Sequence, residues 1–582
     1  MILNLLDIDA TKHKELDGLV RSQSFFVLFN LGRSSENQMT HENGGNRHMK
    51  DRVSLTDFLM YHKETHPISF HMPGHKGRST LYGIYGFGDF IKNVIGNDIT
   101  EIPGADALQQ PRERIKDMME GYAGLYGAKH TELLVNGSSA GLTAAILGTV
   151  PRGGKLLMGR NSHRSVYGAL RLGKISPVYI MPEIDDETGL QLGLDPDKIE
   201  EALVEDPEIK AVLVTSPNYY GVLSDVERIA NIVHLHGRIL IVDQAHGAHL
   251  KFFDYLRNED GLPHRAAENC GADIVVDSTH KTLLSFTGSA ILNICTERSD
   301  VSRISELLRM LQTTSPSYLL MGSLDINQQI LRMDGYNLIK NWDADIKYFY
   351  QEAARIEGLG LIDRIDLDET KVSLTMTALG LSGPELAEEL EKRNIWVELT
   401  HGDYVMLMTG IGNERGDYED ILTALRDLSA QYRGRITAAE KAAREERSQN
   451  LEPATELKPS TSSPENGSNR METAQSESVS DSNRTETAQV ELKEGSNRTE
   501  TVADITDSAH EATAHVTPTS NSMLIERLEQ RRIPDIYEEV PLYSAEGRVL
   551  YESIIPYPPG SPIACPGEVL SKSVILYIRD KL

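Results

Sequence analysis

The sequence predicts an α/β fold. A large domain with a mostly parallel sheet comes first, then a smaller α+β domain, then a carboxyl-terminal segment beyond a low-complexity insert. Three observations carry this. Between about residues 110 and 295, short apolar runs alternate with stretches of helical period, the pattern of a parallel sheet covered on both faces. Runs such as Ile239–Val242 are continuously apolar, as strands buried on both faces are. The composition changes sharply near residue 438 and recovers near residue 523.

The elements follow in order. A helix is expected over Ser54–Lys63, leading into a Gly/Pro-rich arm that ends near residue 105. Strand-like runs are Glu132–Val135, Lys155–Met158, Pro177–Met181, Ala211–Thr215, Ile239–Val242, Ile274–Val276 and Ala290–Ile294. Helical stretches between them are Arg112–Tyr126, Leu142–Leu147, Val166–Leu172, Asp195–Val204 and Val226–His236. Residues 298–358 read as helical. The smaller domain mixes strands (Val372–Met376, Val405–Met408) with helices (Gly383–Arg393, Tyr418–Leu428). From Ala438 to Ser522 the chain is rich in Glu, Ser, Thr and Asn, with repeats at Gly467–Ala474, Asp481–Ala488 and Gly495–Val502. Such a stretch buries too little apolar surface to offset its ordering entropy and is expected to be disordered; a partner-binding tail with tandem motifs is the alternative. Ile525–Arg531 reads as a short helix. The expected divisions are therefore 1–48 (leader), 49–105 (helix and arm), 106–300 (large-domain core), 301–435 (connecting helices and small domain), 436–522 (insert) and 523–582 (carboxyl-terminal segment).

The 582 residues suffice for several domains. A formal net charge of −27 argues against nucleic acid and anionic membranes as partners and suits a cationic small molecule. The three cysteines, Cys270, Cys295 and Cys565, are widely separated, which points to a reducing compartment without a disulfide framework. No apolar run reaches the roughly 20 residues that span a bilayer, and the amino terminus lacks the basic start of a signal peptide. A cytoplasmic location is expected.

Lys281 lies in Ser278-Thr279-His280-Lys281-Thr282, immediately beyond the apolar run Ile274–Val276. A single amine at a strand end, beside hydroxyl and imidazole donors, suits a cofactor with an aldehyde and a phosphate, namely pyridoxal phosphate. Asp243 ends the run Ile239–Val242 and opens Gln244-Ala245-His246-Gly247-Ala248-His249. A carboxylate there needs a cationic partner, which a protonated pyridine nitrogen provides; capping the next helix is the plainer reading. His246 and His249 are too closely spaced, with no third ligand nearby, for a metal site, and none is expected. Leu133–Leu142 reads as strand, Gly/Ser turn and helix, so backbone N–H groups with Ser138 and Ser139 would hold a phosphate. His163 could stack on the cofactor ring, or merely cap a helix.

These residues, in this order, resemble the Orn/Lys/Arg decarboxylases, bacterial pyridoxal-phosphate enzymes of the aspartate-aminotransferase fold type. The resemblance rests on Phe70–Gly77, Asp98–Gly104, Asn136–Gly141, Thr215–Gly221, Asp243–His249 and Ser278–Thr282. The tail adds Pro556–Gly560 and Cys565–Glu568. It covers about residues 50–435 and 523–582. It implies that Lys281 is the Schiff-base lysine, Asp243 the pyridinium partner and His163 the ring-stacking histidine. His246 would stand beside the cofactor, with Ser138, Ser139, Ser278 and His280 around the phosphate. It further implies a homodimer or higher homo-oligomer with sites formed between subunits. The reaction would be decarboxylation of arginine, lysine or ornithine, feeding polyamine synthesis or acid resistance. Residues 1–48 resemble nothing in the family and are expected to be a flexible leader or an over-extended gene start.

Three positions depart from the family pattern: Gln244 stands where a Glu is usual, Asp277 where a Gln is usual, and Thr287-Gly288 where Thr-Gln is usual. Asp277 is expected to add negative charge close to the phosphate. Two other readings stay open: an aminotransferase or carbon–sulfur lyase of the same fold type, and a non-catalytic regulatory homologue. Glu398 and Asp403 are acidic candidates for the substrate head group, with an exposed loop charge the plainer account of both.

Overall fold

A computed structural model describes residues 54–449, 544–550, 554, 562–565 and 568–581. The leader, most of the insert, the helix expected over Ile525–Arg531 and the Pro556–Gly560 motif lie outside the described residues. The described residues open with helix Leu55–Glu64, capped by Ser54, whose hydroxyl accepts from Asp57 N. Strand β1 (Ile68–Phe70) opens the arm, and three short helices span Ser79–Asn97.

The central sheet has seven strands: β2 (His130–Leu134), β3 (Lys155–Gly159), β4 (Ser176–Ile180), β5 (Ile209–Thr215), β6 (Ile239–Asp243), β7 (Ile274–Asp277) and β8 (Ala290–Ile294). Their order is β2-β8-β7-β6-β5-β3-β4. The neighbours from β7 to β4 run parallel, and β8 runs antiparallel to both β2 and β7. Side chains of alternate sign of the pleat feed two apolar cores, as a sheet buried on both faces requires. One contains Leu156, Leu213, Ile241 and Val276, the other Leu157, Val212, Val242 and Val275.

Helices Val301–Leu311 and Tyr318–Ala353, the latter bent at Asp334, lead to the small domain. Its strands are β9 (Gly360–Leu361), β10 (Lys371–Thr375), β11 (Ile395–Val397), β12 (Leu399–His401) and β13 (Tyr404–Met408). Four of them form an antiparallel sheet ordered β12-β13-β10-β9, while β11 pairs in parallel with β1. The arm is thereby tied to the small domain. Helix Leu250–Glu259, which sequence reading passed over, follows the Asp243–His249 run; its buried Lys251 and Asp254 blur the apolar stripe. The described tail residues hold isolated bridges Val549↔Val569 and Ile554↔Ala564 and helix Lys572–Lys581, around an apolar cluster that includes Ile563, Leu570 and Val574. Among the described residues no helix is long and apolar enough to cross a membrane.

Candidate active site

β3 leads outward to β4, whereas β5 leads the other way to β6. Open α/β sheets bind ligands at the carboxyl ends of strands where the order reverses in this way. A cavity of about 320 Å³ opens there, a size usual for small-molecule sites. Asn161 and His163 reach it from the turn after β3, and Thr215 and Tyr219 from the end of β5. Asp243 and His246 enter from β6, and Ser278, His280, Lys281 and Thr287 from beyond β7. The first turn of helix Gly137–Thr149 adds Gly137, Ser138 and Ser139, and the arm adds Met72 and Pro73. The eight residues singled out from sequence, Lys281, Asp243, His163, His246, Ser138, Ser139, Ser278 and His280, thus line one cavity.

Local structure explains their placement. Asp243 is the last residue of β6, 2% exposed, and its Oδ1 accepts from Ala245 N at 3.2 Å. Lys281 sits in a one-turn helix, Thr279–Thr282, with its N–H donating to Ser278 O at 3.1 Å. His163 caps helix Arg164–Gly173: its Nδ1 accepts from Ser165 N at 3.3 Å and lies 2.9 Å from Ser165 Oγ. The capping and cavity-facing readings of this residue hold together. His246 packs edge-on against Tyr219, ring centroids 4.8 Å apart. His249 turns elsewhere: Nδ1 pairs with Thr282 Oγ1 (3.2 Å) and Nε2 with Asp368 (3.1 Å). Asp368 also binds the fully buried Lys371, whose Nζ donates to His246 O at 3.1 Å.

Burial pushes the Lys281 amine down to about 8, with Asp243 and Glu398 pulling it up and Lys371 pushing it further down. Burial raises the Asp243 carboxyl, and Lys281 holds that rise back. Burial lowers His163 and His280 to about 4 and His246 well below its ordinary value. These imidazoles are neutral at pH 7.

The donor set fits a phosphorylated pyridine aldehyde. Buried polar atoms without a partner are uncommon, yet Ser278 Oγ, Thr215 Oγ1 and His246 Nδ1 are buried here, unpartnered, and belong to residues that line the cavity. The helix N-terminus at Gly137–Ser139 offers N–H groups to an anion, with no acidic residue in that first turn. The half-buried Lys281 amine and the buried Asp243 carboxylate complete the set.

The expectation for Asp277 is corrected. Its carboxyl is not part of the cavity lining; it is fully buried and accepts from Gln244 Nε2 (2.9 Å) and Asn293 Nδ2 (3.1 Å). The same two amides also donate to Glu268, each at 3.0 Å. Burial, reinforced by Glu268, pushes Asp277 well above the carboxylate range, which favours a proton within this pair of acids over a second charge. The Glu398 expectation is also revised: its carboxylate accepts from Met72 N and Tyr219 OH, both at 2.9 Å, whereas Asp403 is exposed. Sequence reading missed Asn161, Thr215, Tyr219 and Thr287 as site residues. Thr215 was findable, since it ends an apolar run and stands in register with Asp243.

Comparison with known proteins agrees with this geometry. Residues 53–366 match the family described as Orn/Lys/Arg decarboxylase, major domain, and residues 508–580 match its C-terminal domain. A protein of Bacillus anthracis named arginine decarboxylase is 32% identical over 367 residues, covering 61% of this chain and 72% of the relative. An arginine decarboxylase of Bacillus subtilis is 34% identical over 352 residues, covering 59% and 70%. The solved constitutive lysine decarboxylase of Escherichia coli superposes with a TM-score of 0.57 at 18% identity, covering 91% of this chain and 76% of that one; at that identity it bears on the fold alone. The major-domain match spans more than half of the chain and takes in the arm and every strand-end motif, the tail motif falls in the second match, and the chain therefore belongs to the Orn/Lys/Arg decarboxylase family.

Proposed function

We propose that this protein is a pyridoxal-phosphate-dependent decarboxylase of a basic amino acid, with arginine as its substrate. The observation that carries the cofactor reading is the sharing of one cavity by the half-buried Lys281 amine, the buried Asp243 carboxylate and the anion-ready turn Gly137–Ser139. Arginine is favoured because relatives named arginine decarboxylase are 31–34% identical over about three fifths of the chain, whereas those named lysine decarboxylase are 22–25% identical over shorter spans.

When bound, pyridoxal phosphate supplies an aldehyde that condenses with an amine and a ring that accepts the electron pair left as carbon dioxide departs. This chain's residues do the rest. Lys281, brought down to about 8 by burial, presents a fraction of neutral amine near neutral pH, which a nucleophile needs. Asp243 would hold a proton on the ring nitrogen. Ser138, Ser139, Ser278 and His280 would hold the phosphate, and neutral His163 would lie against the ring. Met72 and Pro73 of the arm line the same cavity. Glu398, on the small-domain side and within electrostatic reach of Lys281, would meet the cationic end of the substrate.

We further place the enzyme in the cytoplasm as a homodimer, in polyamine synthesis or acid resistance. Exposed apolar residues near the arm, Ile84 (76%), Ile95 (86%) and Ile102 (52%), support a protein partner there. The test is direct. Purified protein given pyridoxal phosphate and each basic amino acid in turn should release carbon dioxide and agmatine from arginine. Lys281→Ala should lose the visible absorbance of the bound cofactor and more than about 10³-fold in rate. Formation of a keto acid in place of the amine overturns the reading.

A further inference from the structure

Arg160, the residue after β3, meets Glu568 of the carboxyl-terminal segment in a bidentate ion pair, Nε to Oε1 at 2.9 Å and Nη2 to Oε2 at 2.8 Å. Both side chains are 3% exposed. The guanidinium also donates to Pro562 O (3.0 Å) and Ile563 O (3.1 Å), and Glu568 Oε2 accepts from Cys565 N at 2.7 Å. Tyr179 and Tyr167 stand beside the guanidinium, ring centroids 5.6 and 5.9 Å away. An ion pair taken this far out of water gives little net stability even when its bonds are saturated, whereas it holds geometry firmly.

The geometry it holds is the turn from Gly159 to His163. Arg160 N donates to Ile180 O at 2.9 Å, Arg160 O accepts from Tyr167 OH at 2.5 Å, and Ser162 Oγ donates to Gly159 O at 2.7 Å. A backbone bond therefore anchors the turn to β4, and the Tyr167 hydroxyl anchors it to the helix that His163 caps. Its remaining side is the Arg160 side chain, which besides a 3.4 Å bond from Nη1 to Tyr167 OH is held by its ion pair with a residue 408 positions away. The next residues, Asn161 and His163, line the cavity.

We propose that Glu568 is a positioning residue: by clamping Arg160 it sets the turn that presents Asn161 and His163, which makes the carboxyl-terminal segment part of the active site. This rests on the pyridoxal-phosphate reading of the cavity. The test compares the full-length protein with Glu568→Gln, which keeps the shape and removes the charge. Cofactor dissociation is followed by its absorbance, and kcat and KM by amine release. The expected result is cofactor affinity and kcat each reduced about 10- to 100-fold, with a shifted cofactor absorbance maximum and an unchanged circular dichroism spectrum. Arg160→Lys, which keeps the charge but loses the fork, should show the same signature more weakly. Wild-type affinity, absorbance and kcat in Glu568→Gln overturn the proposal. Loss of folding in both variants also overturns it, because the pair then serves the fold and not the site. A wild-type protein that takes up no pyridoxal phosphate instead refutes the reading of the cavity.

Discussion

At the scale of residues, two of the chain's departures from its family pattern, Gln244 and Asp277, explain one another. Gln244 and Asp277 touch, and with Glu268 and Asn293 they form a buried group of two acids and two amides in which each amide donates to both acids. The four amide N–H groups reach the four carboxyl oxygens one to one, and two acids held this close and out of water favour a shared proton, as closely spaced carboxyls usually do. The group lies directly beside Asp243 and Ser278 in sequence, so it sets the strand ends on which the cofactor residues stand. Gln244→Glu puts a third acid into this group and should cost about 2–4 kcal/mol. Gln244→Glu with Asp277→Asn restores two acids and two amides and should recover all but about 1 kcal/mol. Urea unfolding of the three proteins measures the coupling, and simple additivity would sink the argument. This pairing was not legible in the sequence. Residues 244 and 277 sit on neighbouring strands, and no spacing rule says which side chains turn away from a strand-end cavity. What was legible, Asp243 and Lys281, was legible because the first ends a continuous apolar run and the second stands a few residues beyond the next one, among hydroxyl and imidazole side chains.

At the scale of elements, three segments meet backbone to backbone behind Lys281. Gly74 N of the arm donates to His280 O (2.8 Å), Ile411 N beyond β13 donates to Thr282 O (2.9 Å), and Gly412 N donates to Gly74 O (3.0 Å). Only glycines allow this approach. A Cβ at Gly74 would stand 2.3 Å from the Thr282 carbonyl carbon, and one at Gly412 would stand 2.6 Å from the His75 carbonyl carbon. Gly74→Ala must therefore push the arm off the Lys281 segment, since the obstruction is backbone and cannot rotate aside. The expected outcome is a folded protein with kcat/KM lowered by about 10²-fold or more and faster protease cleavage in the arm; wild-type kinetics would contradict the junction. The central strands of the large domain were legible to within two residues because burial on both faces leaves a nearly unbroken apolar run. The arm's pairing with β11 was not, because three-residue strands carry no period and their partners lie more than 300 residues apart.

At the scale of the whole molecule, burial of so many neutral imidazoles makes stability depend on pH. His75, His163 and His280 are each lowered to about 4, burial being the largest cause. Their folded values lie below the ordinary 6.5 of the unfolded chain, so between the two the unfolded chain binds more protons. The stability they contribute is complete above about pH 6.5 and is lost as pH falls toward 4. Each contributes a slope of about 1.4 kcal/mol per pH unit inside that window, and three together approach the several kcal/mol that a domain has to spare. Lys76 and Lys281 add to the same trend on the alkaline side. They are lowered to about 7 and about 8 by burial, against 10.5 unfolded. Protonated, they tax the cofactor-free fold, and stability should keep rising as pH passes 8. Cofactor-free protein should therefore show a thermal midpoint that climbs from pH 5 through pH 9, with its steepest change on the acid side. Loading the cofactor engages the Lys281 amine and should flatten the alkaline part while leaving the acid part in place. Scanning calorimetry of both forms at pH 5, 6.5, 8 and 9 decides it. A midpoint that is flat between pH 5 and 6.5 would mean that water reaches these histidines in the folded protein and that their burial costs nothing on protonation.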